Sequence, residues 1–192
     1  MPTDKKIIEC VPNFSEGRNL DIIDKIASAV KSTQNVKLLN VEPDKDYNRT
    51  VITFAGEPSG VKEAAFNAIS TASELIDMSR QKGEHPRIGA TDVCPIIPVA
   101  NATREECVKL ADELGSEVGE KLGIPVYLYE DAARSEERRN LENIRKGEYE
   151  GLEQKLRDWI PDYGPAEYND KVRKSGATVI GARFFLIAYN VN

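Results

Sequence analysis

Residues 49–76 read RTVITFAGEPSGVKEAAFNAISTASELI, and the fold follows from this stretch. Its first part sets Val51, Thr53 and Ala55 against Ile52 and Phe54, the period of two expected of a half-buried strand. Pro58 and Ser59 then open a long helix. Its apolar stripe is Val61, Ala64, Ala65, Ala68, Ile69, Ala72, Leu75 and Ile76, and it is expected to end near Ser79. Toward the N-terminus, Ile7 to Val11 reads as a first strand ended by Pro12-Asn13. Asn19 is placed to cap a helix with Ile22, Ile23, Ile26, Ala27 and Val30 on one face. Val36 to Val41 reads as a strand, and Pro43-Asp44-Lys45-Asp46 as a turn. Toward the C-terminus, Asp92 to Val99 is apolar but holds Pro95 and Pro98, so it is expected at a sheet edge or as an irregular strand. The resulting order of strand, helix, strand, strand, helix, strand is the ferredoxin-like split pattern.

Further on, Thr103-Arg104-Glu105-Glu106 has the form of a capping box, ahead of a helix burying Cys107, Ala111, Leu114, Val118 and Leu122. Pro125 to Tyr129 reads as a strand. Residues 131–157 are charge-rich and helical in pattern, with a break at Lys146-Gly147. Trp159 to Gly176 reads as a long ordered loop; a loop of that length in a compact domain is usually functional or disordered, and Trp159, Tyr163 and Tyr168 argue against disorder. Ala177 to Ile180 and Phe184 to Val191 read as two more strands. The expected fold class is α+β: one domain over residues 1–192, a mixed sheet of five to six strands with amphipathic helices on one face.

The chain has 26 basic and 32 acidic residues, a net charge of −6. That balance argues against general nucleic-acid binding. No window is long and apolar enough for a transmembrane helix, and the N-terminus lacks a secretory signal pattern. Cys10, Cys94 and Cys107 form no CxxC pair and no metal-ligand spacing, so no metal site is expected. An odd cysteine count without a signal peptide points to reduced thiols in the cytoplasm. Basic charge is clustered locally, at Arg80, Lys82 and Arg87 and again at Lys171, Arg173, Lys174 and Arg183. Such clusters suit a small carboxylate ligand, or are solvated loop faces.

His85 is the chain's one histidine, bracketed by glycines and Pro86 in Lys82-Gly83-Glu84-His85-Pro86-Arg87-Ile88-Gly89. Histidine is the side chain whose ordinary pKa permits proton exchange in both directions near neutrality. Pro86 restricts the backbone of His85. Glu84 and Asp92 are candidates to orient the ring. Asp44, Asp46 and Asn48 are explained by turn chemistry, with a catalytic role as the alternative.

Several motifs carry a resemblance. Glu9 to Gly17 reads ECVPNFSEG; with it come Asn48-Arg49-Thr50-Val51, Ile76 to Arg80 (IDMSR), Lys82 to Pro95 (KGEHPRIGATDVCP), Pro125 to Tyr129 (PVYLY) and Gly176 to Arg183 (GATVIGAR). Together, and in order over nearly the whole chain, they resemble the N-terminal subdomain of the glutamate formimidoyltransferase (formiminotransferase) family, which also begins the bifunctional formiminotransferase–cyclodeaminases. The resemblance implies transfer of a formimino group from N-formimino-L-glutamate to N5 of tetrahydrofolate in histidine degradation and one-carbon metabolism. Folate is then a substrate, and no tightly bound cofactor is implied. His85 matches the family's catalytic histidine. Arg49, Arg87 and Arg183 are candidates for gripping substrate carboxylates, as planar guanidinium forks do. Gly164, Pro165, Tyr168, Gly176, Ala177 and Thr178 fall where the family contributes to the folate site; Tyr168 is placed either to stack on a pterin or to pack in the core.

In that family a second subdomain follows, and substrates bind between two facing sheets. This chain stops at Tyr189-Asn190-Val191-Asn192, about where that subdomain would begin. Its inner sheet face is therefore expected to be an exposed apolar patch, covered in a homodimer or by a partner chain. The alternatives to a formimino transferase are a non-catalytic folate-binding or partner-requiring half, and a related enzyme moving a formyl group.

Overall fold

The computed structural model describes residues 5–185. The 49–76 stretch forms strand β4 (Arg49–Gly56) and helix α2 (Pro58–Leu75), as the two periodicities require. Ile52 and Phe54 are fully buried, while Val51, Thr53 and Ala55 are half-buried on the opposite face. The small residues Gly60, Ala64, Ala65, Ala68 and Ala72 of α2 are all buried, which lets the helix lie close on the sheet. The helix ends at Leu75 rather than Ser79, because Asp77 turns the chain by accepting from the Ser79 N–H and hydroxyl.

Two short strands, β1 (Ile7–Cys10) and β2 (Asn13–Phe14), lie end to end in one row. Both pair antiparallel with β4 on one side and with β5 (Thr91–Ala100) on the other. Strand β3 (Val36–Asp44) forms the edge beyond β4. Beyond β5 come β7 (Thr178–Ala182) and then β6 (Val126–Glu130), both parallel. The rows run β3, β4, β1/β2, β5, β7, β6, seven strands in one mixed sheet. The first four rows are those of the split βαβ pattern, extended by a parallel pair.

β5 is central, not an edge strand. Its pairing is irregular: the register slips between Ile7 and Ile8, opposite Pro98, and between Asn13 and Phe14, while Pro95 faces the break between β1 and β2, its carbonyl accepting from the Val11 N–H at 3.3 Å. Pro98 lies past the last β7 partner, where Ile96 meets Ala182, so its missing N–H interrupts no ladder on that side.

Helices α1 (Leu20–Lys31), α2 and α3 (Arg104–Glu117) supply the core with their apolar faces. Asn19 caps α1 by accepting from the Asp21 and Ile22 N–H groups, and Thr103 and Glu106 form the expected capping box on α3. The helix α3 continues through one π-helical turn, Val118–Leu122. The charge-rich stretch breaks into α4 (Glu136–Arg139), α5 (Leu141–Arg145) and α6 (Leu152–Asp158). This segment covers the other face of β6, where the Tyr127 hydroxyl donates to the Trp159 carbonyl at 2.8 Å and Arg138 lies over the Tyr127 ring. Residues 159–176 are not all loop: Asp170–Ser175 forms a short helix, α7, capped by Asn169. Ala177 to Ile180 lies in β7 as expected, whereas the strand expected at Phe184 to Val191 falls largely outside the described residues.

Cys10 and Cys94 are free thiols buried between β1 and β5, 3.4 Å apart. Burial pushes Cys10 far up from the usual thiol range and Cys107 to about 11, so both stay protonated as small hydrophobes. No helix among the described residues is long and apolar enough to cross a membrane.

Candidate active site

The loop that carries His85 is fastened to the β3–β4 turn. Asn48 is buried at φ 50°, in the left-handed region that asparagine tolerates better than most residues. Its side-chain oxygen accepts from the Gly17 N–H at 2.9 Å, and its amide donates to the Lys82 carbonyl at 3.0 Å and to Gln81 Oε1 at 2.5 Å. Gln81 in turn donates to Glu16 at 2.8 Å, and Glu16 also accepts from the Arg18 and Asn19 N–H groups. The backbone at Gly83 passes so close that a Cβ there would lie 2.4 Å from the Tyr47 carbonyl oxygen. The SEG, NR and KGEH motifs are thus parts of one hydrogen-bonded clamp. After His85 the chain re-enters the core, with Ile88 and Ala90 buried and the Gly89 backbone against Ala177.

His85 is half-buried, its Nε2 in contact with an Nη of Arg49 and its ring edge-on to Tyr47 at 6.5 Å. A guanidinium only donates, so Nε2 must be the acceptor and the proton of the neutral ring sits on Nδ1. Nδ1 is buried without a hydrogen-bond partner, so neither Glu84 nor Asp92 orients the ring. Burial, then the charges of Arg49 and Arg145, push the His85 pKa down to about 4. Arg49 is also half-buried, and burial followed by the like charge of Arg145 lowers its proton affinity.

Arg145, on α5, is the site residue that sequence reading passed over. It was one arginine among several in a charged stretch, and nothing local separated it from Arg138 or Arg139. In the fold it crosses to β5, where its Nη2 pairs with the buried carboxylate of Asp92. Asp92 also accepts from the Ile88 N–H at 3.1 Å. Burial raises the Asp92 pKa and Arg145 opposes that rise.

Arg49, His85, Arg145 and Arg183 line one trough of about 600 Å³ on the sheet face away from α1–α3, together with Val11, Asn13, Glu42, Val51, Val93, Pro95, Tyr129, Glu130, Asn140 and Leu141. The face expected to be apolar is mixed: Val11, Val51, Val93, Pro95, Tyr129 and Leu141 share the trough with the charged side chains. A second recess of about 420 Å³, lined by Asp44, Tyr47, Arg49, His85 and Pro86, adjoins it. The Arg49–His85 pair belongs to both walls.

Residues 7–183 match the model of the formiminotransferase domain, N-terminal subdomain. The chain belongs to the formiminotransferase family. It is 52% identical over 189 residues to formimidoyltransferase-cyclodeaminase of Dictyostelium discoideum, covering 97% of this chain and 35% of that protein. It is 46% identical over 189 residues to glutamate formimidoyltransferase of Streptococcus pyogenes serotype M1, and 50% identical over 190 residues to that of Thermoplasma acidophilum. Those two alignments cover 97% of this chain and 62% and 61% of the relatives. The chain thus spans from about a third to under two thirds of the length of these relatives.

Not all residues implied by the formiminotransferase resemblance gather around His85. Arg183 lies on the trough. Arg87 is buried and turned away: its guanidinium donates to Glu148, to both carboxylate oxygens of Glu150 and to the Gln81 carbonyl. Gly176, at φ 68°, approaches Ile88 so closely that a Cβ would lie 2.3 Å from the Ile88 carbonyl oxygen. Ala177 and Thr178 are buried beside it. Gly164 and Pro165 sit near Ile124 and the π-helical turn rather than on the trough. Tyr168 packs against the core, its hydroxyl 3.2 Å from that of Tyr149.

Proposed function

We propose that this chain supplies the histidine-bearing part of a transferase that moves the formimino group of N-formimino-L-glutamate to N5 of tetrahydrofolate, in histidine degradation and one-carbon metabolism. The observation that carries the reading is a lone histidine set between two guanidiniums on an open sheet face, in a chain that belongs to the formiminotransferase family. In the reaction, N5 attacks the formimino carbon and a C–N bond forms. The N5 proton leaves, the bond from that carbon to the glutamate nitrogen breaks, and that nitrogen takes a proton. His85 takes the first proton and returns it to the leaving amine, a task typically worth about 10²–10⁴-fold in rate. Arg49 and Arg183 suit the paired carboxylates of formiminoglutamate and of the folate glutamate tail, while Arg145, held by Asp92, adds positive charge to the same wall. Free buried thiols fit a reducing compartment, and we place the protein in the cytoplasm.

The test is a formimino-transfer assay of the purified chain and its His85→Gln variant, with tetrahydrofolate and formiminoglutamate. Turnover should fall by about 10²-fold or more in the variant. Turnover unchanged by the substitution would defeat the reading. A second reading, a half that works only in a homodimer or with a partner chain, is favoured by the fraction of its relatives that the chain spans. A wild-type chain inactive alone and active once a partner segment is added would establish it. A formyl donor outcompeting formiminoglutamate would move the assignment to formyl transfer.

A further inference from the structure

We propose that Arg49 is a carboxylate-displaced latch on His85: in the free protein its guanidinium occupies the Nε2 lone pair, and a ligand carboxylate draws it away and frees the base. The inference rests on the transferase reading for the identity of that carboxylate, and on the site geometry for the latch itself.

Three observations carry it. First, Arg49 and His85 Nε2 are in contact, and the guanidinium is necessarily the donor, so the atom needed to accept a substrate proton is already engaged. Second, Arg49 has no ion pair within 4 Å among the described residues. Arg87 is held by Glu148 and Glu150, and Arg145 by Asp92. Arg49 is thus a half-buried cation whose best anionic partner is not supplied by the described chain. A bidentate carboxylate pair is stronger than a hydrogen bond to a neutral ring nitrogen, so an arriving carboxylate wins the guanidinium. Third, the Arg49–His85 pair is common to the walls of the trough and of the recess beside Tyr47. A latch that swings off His85 joins the two spaces on either side of the imidazole, where a two-substrate transfer needs its donor and its acceptor.

The charged and titratable groups facing the ring are few. Arg49 comes from β4, Arg145 from α5, and Asp44 and Tyr47 from the β3–β4 turn and its approach; Glu42 of β3 faces Arg49 across the trough. Arg49 and Arg145 disfavour protonation of His85, and a bound carboxylate that neutralises Arg49 removes one of these two effects. Ligand binding therefore both uncovers Nε2 and makes it more basic. Arg49 would also oppose futile protonation of the empty site.

With one histidine in the chain, nitrogen NMR of histidine-labelled protein reads this site without assignment. The probe is glutarate, a dicarboxylate with no formimino group, against chloride at equal ionic strength. The free protein should show the Nδ1–H tautomer with a hydrogen-bonded Nε2. Saturating glutarate should abolish that tautomer preference and raise the titration midpoint by about one unit, tenfold in proton affinity. Arg49→Ala should do the same without glutarate and remove the glutarate response. A free protein in the Nε2–H tautomer overturns the proposal, as does a wild-type spectrum and midpoint indifferent to glutarate. A through-space charge effect alone would move the midpoint without setting the tautomer, and that result also overturns the latch. The measurement needs no turnover, so failure of the transferase reading shows in the transfer assay and failure of the latch shows here.

Discussion

Asn48 is the residue on which the active loop hangs, and its substitution has a calculable effect. The side chain is buried, with the residue 7% exposed, and makes three hydrogen bonds: from the Gly17 N–H, to the Lys82 carbonyl and to Gln81 Oε1. Asn48→Ala removes all three at about 1 kcal/mol each. It also places a Cβ residue without a local hydrogen-bonding side chain at φ 50°, which adds about 1 kcal/mol. The expected loss is about 4 kcal/mol, seen as a fall of about 2 M in the urea midpoint for a slope near 2 kcal/mol per M. Asn48→Gly loses the same bonds but not the backbone term, so it should be about 1 kcal/mol more stable than the alanine variant, reversing the usual order of these two residues. Loss of the clamp should also free the 82–86 segment and separate His85 from Arg49, visible as a histidine midpoint closer to the ordinary 6.5. Equilibrium unfolding in urea of the three proteins checks the energies. A loss below about 1 kcal/mol for the alanine variant, or a glycine variant less stable than the alanine one, would refute this account of the clamp.

Two further outcomes follow from the site's electrostatics. The native His85 ring stays neutral down to about pH 4, whereas the unfolded chain protonates it near 6.5. Between those values the unfolded state binds more protons, so stability is at full value above pH 6.5 and falls as pH drops through the window. The half-exposed ring is screened by water, so the loss should be about 1 kcal/mol by pH 4.5, and His85→Gln should remove that component of a urea series across pH. Arg87→Met should lower stability by about 1–3 kcal/mol, its carboxylate partners being partly hydrated. It should leave the His85 titration unchanged, because the Arg87 guanidinium faces Glu148 and Glu150 rather than the ring. A shifted histidine midpoint in that variant would return Arg87 to the site.

The open face also changes what a covering partner has to do. Because it carries Arg49, Arg145 and Arg183 beside Glu42 and Glu130 among apolar side chains such as Val11, Val51 and Leu141, whatever covers it must offer both apolar and polar contacts or leave room for charged ligands. Static light scattering across a range of concentrations decides whether a second copy takes that place; a monodisperse monomer at micromolar concentration would count against the homodimer.

The amino-acid sequence by itself determined the periodic elements. Alternation over 49–56 and the three–four stripe over 58–75 hold because a strand or helix buries one face whatever lies beyond it. Capping at Asn19 and Thr103 was equally legible, since each cap is satisfied within four residues. His85 stood out by being alone. Long-range placement was not legible. The position of β5 at the centre depends on partners at both ends of the chain; the prolines within it pointed to an edge or an irregular strand, and only the irregularity holds. Arg87, two residues from His85, faces away, while Arg145, sixty residues on, faces it. Sequence proximity says nothing of side-chain direction once a loop turns. Which arginine is spent on a carboxylate and which stays available is set by through-space charge and burial, and those quantities exist only after the chain has folded.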